Sequence, residues 1–371
     1  MEYDLVFEGG GAKGGAFAGA LRALERRGHK PRRLIGSSAG SIVATLVAAG
    51  YSGQDCLEAL QQKLPDGRSV FASFLDTPNI EGDDQMSEGM RSWLITELDN
   101  PDLPNSIEPF VDKLMNSLIG KEFFRHLLSL LLWGGWYSGK AFRNWLRERL
   151  DQDGRGLADS NLLEFHQKTG SDLSAVAADV TGKEMLVLNH RTAPDCPTVW
   201  AIRMSMGCPF AWPEVVWKAE WGLYRGRDLT GHRVVDGGLL SNFPIRLFVS
   251  TDENIDAIMG ENSISDQVIG LLIDETLPVP GIEEPFHDSA APGFIERLDL
   301  LQQTLWRIQG LADTVLGGND RTVLAAYEHM VCRLPAKAVG TLDFDMPAER
   351  MSALVTAGEA AMEAYLTALE S

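Results

Sequence analysis

A serine flanked by glycines, Gly36-Ser37-Ser38-Ala39-Gly40, follows the apolar residues Leu34 and Ile35. This G-x-S-x-G spacing suits a sharp strand-to-helix reversal in which small neighbours leave a hydroxyl clear of the backbone, so Ser38 is the candidate nucleophile. A second glycine turn, Gly9-Gly10-Gly11-Ala12-Lys13-Gly14, follows the apolar run Tyr3 to Phe7. Consecutive glycines at a strand end let backbone N–H groups converge on one point, where they can hold a developing oxyanion. Far along the chain, Arg233-Val234-Val235-Asp236-Gly237-Gly238 ends a β-branched run with an acid and two glycines. A carboxylate would emerge there with little bulk around it, which suits Asp236 to the role of general base. The combined chemistry is acyl transfer.

Each fragment has competing readings. Gly9, Gly11 and Gly14 also satisfy G-x-G-x-x-G, but a dinucleotide site needs an acidic residue about 20 positions on, at the end of the second strand. That strand ends in Gly36-Ser37-Ser38 instead. A P-loop is excluded because Gly14 is followed by Gly15 rather than by Lys and Ser or Thr. An α/β-hydrolase with Ser, Asp and His in that chain order would recruit His287 or His329. Such a fold builds several strands before its elbow, whereas Ser38 follows the second; His287 lies in the acidic, proline-bearing stretch Glu283 to Asp288, and His329 in an expected helix. The other histidines, His29, His126, His166, His190 and His232, show no metal-like spacing, so neither a metal nor a cofactor is expected.

In this order, G-G-G-x-K-G, G-S-S-A-G-S and D-G-G resemble the patatin-like phospholipase family. Similarity continues through Met204 to Pro213 and Gly340 to Phe344 and is weakest over about residues 65–135. The resemblance implies an α/β fold of three layers, a mainly parallel central sheet flanked by helices. It also implies lipid acyl hydrolysis by a Ser and Asp dyad without histidine, through an acyl-enzyme. Ser38 is then the nucleophile and Asp236 the base. The turn Gly9, Gly10, Gly11, Ala12, Lys13 and Gly14 forms the oxyanion hole through the Gly10 and Gly11 amides, with Gly36, Gly40, Gly237 and Gly238 supporting the turns. The implied substrate is a phospholipid or lysophospholipid met at a membrane surface. Two alternatives stay open: a non-catalytic or partner-activated lipid-binding effector, for whose activator or oligomeric switch the sequence has no signal, and the histidine-dependent esterase. An aspartate can act alone if burial raises its basicity and nearby donors stabilise the alkoxide, and the N-terminus of a helix beginning at Ser38 faces the reacting oxygen.

The elements that carry these residues follow from periodicity. Strand 3–7, helix 14–27, strand 32–36 and helix 38–49, stopped by Gly50, alternate as parallel strands with right-handed crossovers do. A helix over 140–150 carries Phe142, Trp145, Leu146 and Arg149 at helical spacing. Strands are predicted at 175–180 and 185–188 around a Thr181-Gly182-Lys183 turn, then at 233–236 and 267–273. The final third reads as helical, from the stripes Ile295, Leu298, Leu301, Leu305, Ile308, Ala312, Val315 and Leu354, Val355, Ala361, Met362, Tyr365, Leu369. A helical insertion over about 65–137 contains the most apolar stretch, Phe123 to Tyr137, which reads either as a core helix or as a lid whose tryptophans meet the membrane interface.

Composition supports one domain over 1–371, with the helical part 290–371 on the same core, because 44% apolar residues suffice for a large core and no linker or repeat divides the chain. Met1-Glu2-Tyr3-Asp4 lacks a basic leader and no apolar run approaches about 20 residues, so a cytoplasmic protein, peripheral at membranes, is expected. Cys56, Cys196, Cys208 and Cys332 lack C-x-x-C spacing and are expected as free thiols. The net charge of −19 excludes a nucleic-acid partner. Residues 1–50 are locally +3, with seven basic against four acidic groups. That excess reads as the solvated face of the first helix or as a face for lipid phosphates.

Overall fold

The computed structural model describes residues 1–76, 126, 129–130, 134–250, 252–260, 267–284, 325–341, 343 and 345–371. The N-terminal alternation forms as expected. β1 (Glu2–Phe7) passes through a 3-10 turn (Gly11–Gly14) into α1 (Gly15–Arg26), and β2 (Lys30–Ser37) passes into α2 (Ala39–Ala48). α3 (Gly53–Gln61) follows, a helix outside the sequence expectation although Ser52 and Asp55 form a reciprocal capping box at its start. Next come α4 (Lys140–Asp151), α5 (Leu162–Thr169), β3 (Asp172–Asp179), β4 (Glu184–Leu188) and α6 (Thr198–Ser205). β5 (Val215–Val216), β6 (Arg233–Asp236), α7 (Arg246–Val249), α8 (Glu253–Met259), β7 (Val268–Pro278), β8 (Val331–Lys337) and α9 (Ala348–Glu370) complete the described chain.

The sheet is mainly parallel and covered on both faces. β3, β2, β1, β7 and β8 lie side by side in one direction, while β4 and β6 run antiparallel to β3 and β5 antiparallel to β6. Strand alternation sorts the core: Tyr3, Leu5 and Phe7 pack with α1, α2, α3 and α9, whereas Val6, Ile35, Val268 and Leu272 pack with α7 and α8. Three layers result.

The C-terminal third departs from the helical reading at β8, which pairs in parallel with β7. Pro335 hid it, since proline argues against a central strand; β8 ends the strand order, where proline is tolerated. α9 matches the second stripe, with Leu354, Val355 and Met362 buried but Leu369 48% exposed near the helix end. Residues 295–315 lie outside the described residues, as does most of 65–137. At the edge of that insertion, His126, Ser129 and Trp136 are buried, and the Trp136 and Tyr137 amides donate to Phe210 O and Ala211 O, each at 2.8 Å. These contacts favour the core reading for this end, while Leu131, Leu132 and Trp133 lie outside the described residues.

α9 lies along α1 so closely that two glycines are required. A Cβ on Gly19 would sit 2.0 Å from Val355 O, and one on Gly358 2.3 Å from Ala16 O. The contact sets the local positive charge against acids of the same chain. Arg22, Arg26 and Arg27 pair with Glu359, Glu363 and Glu370 of α9, so the first helix's arginines face acidic partners of the same chain. The four cysteines are free thiols, and burial pushes Cys332 up to about 12. Gly19→Ala, which in an open helix would stabilise by about 1 kcal/mol, is expected to cost about 1–3 kcal/mol here by forcing the helices apart. A urea unfolding midpoint equal to that of the unmodified protein would contradict this packing.

Candidate active site

The backbone ladder brings the sequence's serine and acid together. β2 pairs with one edge of β3 and ends at Ser37, level with Val176. β4 occupies the other edge, level with Ala175 to Asp179. β6 therefore takes the edge that β2 has left, descending from Val234 opposite Asp179 to Asp236 opposite Ala177. The two strands meet head to head. Ser38 is the first residue beyond β2, Asp236 the last of β6, and Ser38 Oγ donates to Asp236 Oδ2 at 2.8 Å.

The glycines of the elbow are demanded by close backbone approach. A Cβ on Gly36 would lie 2.4 Å from the Gly40 carbonyl, and one on Gly40 would lie 2.4 Å from Phe7 O. Ser38 itself adopts φ 50°, ψ −126°, a sparsely populated conformation that costs a non-glycine residue about 1–3 kcal/mol. It stands at the N-cap of α2 without using its side chain as a cap. Ser41 Oγ instead holds the Ser38 carbonyl at 2.7 Å. The hydroxyl is thus left for Asp236, beside the positive end of α2.

Asp236 is 5% exposed. Its Oδ1 accepts from the Gly238 amide at 2.8 Å and its own amide donates to Gly207 O at 3.0 Å, which gives the Met204–Pro213 motif a place in the site. Beyond Asp236 the chain crosses the face of β3. A Cβ on Gly237 would lie 2.2 Å from Val176 O, so that residue has no room for a side chain.

The first glycine turn lies against Ser38, with a Cβ on Gly9 falling 2.9 Å from Ser38 Cβ. Three of its amides are spoken for: Gly9 donates to Asn242 O, Ala12 to Thr341 O and Lys13 to Gly10 O. Those of Gly10 and Gly11 have no partner among the described residues. Gly11 has φ +57°, and a Cβ there would meet Thr341 O at 2.1 Å. Lys13, buried to 3% exposure, reaches Glu275 of β7 and Thr341 Oγ1 and so pins the turn to the sheet; Gly14 closes the 3-10 turn behind it.

Sequence reasoning missed the clamps. Asn242 Nδ2 donates to Gly9 O at 2.9 Å and to Glu8 Oε1 at 3.3 Å, while Glu8 Oε2 accepts from the Ile273 amide at 2.6 Å. Nothing in their spacing distinguishes Asn242, Glu8 or Glu275. Thr341 lies in the stretch Gly340 to Phe344, where the motif was visible and its role was not.

Of the two histidines of the alternative reading, His329 is not placed to join Ser38 and Asp236. His329 is exposed in a 3-10 turn before β8, not in the expected α-helix. Val331 is level with Gly270 and hence with Val6, so His329 lies toward the sheet's opposite end. β8 also stands three strand spacings from β2, roughly 14 Å. His287 lies outside the described residues. Among the described residues no group of His, Cys, Asp and Glu converges to hold a metal, and no helix is long and apolar enough to cross a membrane.

Comparison with known proteins adds an independent line. A family model described as "Patatin-like phospholipase" matches residues 5–249. The uncharacterized protein YqhO of Bacillus subtilis (strain 168) is 26% identical over 375 residues, covering 99% of this chain and 98% of its own length. Among solved structures, VipD from Legionella pneumophila aligns with a TM-score of 0.47 at 16% identity, covering 99% of this chain and 67% of VipD. The type III effector ExoU of Pseudomonas aeruginosa aligns with a TM-score of 0.44 at 16% identity, and the chain spans 53% of its length.

The site generates a direct chemical test. A fluorophosphonate should label Ser38, and Asp236→Asn should slow labelling about 10²–10⁴-fold, the usual contribution of a general base. His329→Ala should label at the unmodified rate; equal damage from both changes would restore the triad.

Proposed function

The chain belongs to the patatin-like phospholipase family, and from that premise we propose that it hydrolyses fatty-acyl esters of glycerophospholipids or lysophospholipids with Ser38 and Asp236 as its dyad. The family supports lipid acyl hydrolysis in general; the particular residues and the acyl-enzyme route are the proposal. One observation supports it above the rest: the 2.8 Å bond from Ser38 Oγ to Asp236 Oδ2 in an elbow whose strained backbone turns the serine away from its own helix.

In this reading Asp236 accepts the Ser38 proton as Oγ attacks the ester carbonyl. The negative charge that develops on the carbonyl oxygen falls to the Gly10 and Gly11 amides, each such donor being worth about 10²–10³ in rate. Collapse of the tetrahedral intermediate expels the lipid alcohol, which takes the proton from Asp236 and leaves the acyl group on Ser38. Water then enters, gives its proton to Asp236 and attacks the acyl ester. Release of the fatty acid returns the proton to Ser38. Every step uses groups of this chain and water, so a metal has no assigned role.

Incubation with defined phospholipids and lysophospholipids, followed by mass spectrometry of released fatty acids, tests the reading. The unmodified protein should release fatty acid, and Ser38→Ala should abolish release without lowering the melting temperature, because the change removes one half-buried hydroxyl and leaves the strand pairing intact. Hydrolysis that persists in Ser38→Ala would sink the assignment. Turnover should also survive chelators, and a restorable dependence on calcium would count against the metal-free mechanism.

A further inference from the structure

Arg203, in α6, is a cation in the protein interior, 3% exposed. Its Nη2 donates to Pro213 O at 3.1 Å, and its Nη1 has no hydrogen-bond partner among the described residues. Two glycines make room for it. A Cβ on Gly139 would lie 2.7 Å from its Nε, and one on Gly207 would lie 2.6 Å from its Nη1. Gly207 is the residue whose carbonyl holds the Asp236 amide, so the guanidinium lies directly behind the candidate base.

Taking a cation out of water is expensive, and an apolar side chain of similar volume would pack at lower cost unless the charge has a use. The charged groups that act on Arg203 are Arg143 of α4, Asp76, and Asp236 of β6. Burial and then Arg143 push its pKa down, to about 9, so it is still the cation at neutral pH; the two carboxylates act the other way. Asp76 is already engaged, since it accepts from the amides of Gly139 at 2.9 Å and Ala141 at 3.0 Å and from Ser138 Oγ at the start of α4. Asp236 is the carboxylate with chemistry to do. An isolated carboxylate this buried tends to keep its proton, and a protonated Asp236 could not take one from Ser38.

We propose that Arg203 is a positioning residue whose charge offsets the burial of Asp236 and keeps that carboxylate unprotonated at neutral pH. This rests on the Ser38 and Asp236 reading above. The reaction then depends on a cation that never touches the substrate, set one backbone layer behind the base.

Arg203→Gln and Arg203→Lys both retain hydrogen-bond donors and differ in charge. With each, the pH dependence of kcat/KM on a short soluble ester and of fluorophosphonate labelling is to be followed, alongside the melting temperature. In the Gln variant the acid limb of both profiles should move upward by about one pH unit or more. Activity on that limb then falls about tenfold and recovers to within about twofold at alkaline pH. The Lys variant should keep the limb of the unmodified protein. Coincident limbs in the Gln variant and the unmodified protein overturn the proposal, as does an equal loss at every pH in both variants, which marks a packing role. If the Gln variant fails to fold, Asp76→Asn decides: removing the competing carboxylate should shift the limb downward, and an unmoved limb refutes the charge effect. Ser38→Ala that still hydrolyses ester would remove the underlying dyad whatever Arg203 does.

Discussion

Everything in this site depends on two strands sharing one edge of β3. β2 fills the lower part and stops at Ser37; β6 fills the upper part from the opposite direction and stops at Asp236. Their ends abut, so Ser38 and Asp236 are placed by the hydrogen-bond ladder itself rather than by flexible side chains. Strand pairing allows little tolerance. A shift of one residue in β6 would turn Asp236 to the other face of the sheet, and one in β2 would displace Ser38; either breaks the 2.8 Å contact. The glycines follow from the same geometry: Gly36 and Gly40 let α2 start against two strands, and Gly237 lets the chain cross β3 immediately after the acid.

A second set of constraints holds the glycine turn against that pair. Its fixings come from remote parts of the chain: Asn242 beyond β6, Ile273 and Glu275 in β7, and Thr341 beyond β8. β7 and β8 are thus more than the far side of the sheet. They hold Gly10 and Gly11 in place while Asn242 ties Gly9 to the segment after Asp236. In the proposed reaction, amides fixed before charge develops avoid reorganisation, which is where a preorganised site gains its advantage over water.

What the sequence revealed is what short-range sterics dictate. Gly36, Gly40 and the Gly9–Gly11 run are read locally, because a reversal or a close backbone approach excludes side chains whatever lies beyond. Strand and helix periods likewise exposed β1, α1, β2, α2 and β6 to within a residue or three of their observed limits. Arg203, Asn242, Glu8 and Thr341 were illegible for the opposite reason. Each is an ordinary polar residue whose role exists only after distant segments meet. β8 was masked by Pro335, and α3 was overlooked although Ser52 and Asp55 signalled its start.

These two sets of constraints should fail differently. Ser38 and Asp236 are positioned by main-chain pairing, so a change that disturbs their placement must first disturb the sheet, and loss of stability should accompany loss of chemistry. The glycine turn is held by side chains as well as main chain, Asn242 and Lys13 above all, and a lost side-chain clamp there can loosen two amides while leaving the ladder whole. Displacing Ser38 or Asp236 should therefore cost stability, whereas deleting the Ser38 hydroxyl alone or loosening the glycine turn leaves the strand pairing whole. This division also explains why the strain sits where it does. Ser38 can hold φ 50° because β2 on one side and α2 on the other over-determine it. Gly11, fastened through the loop at Thr341, meets its positive φ with a residue that has no Cβ to strain.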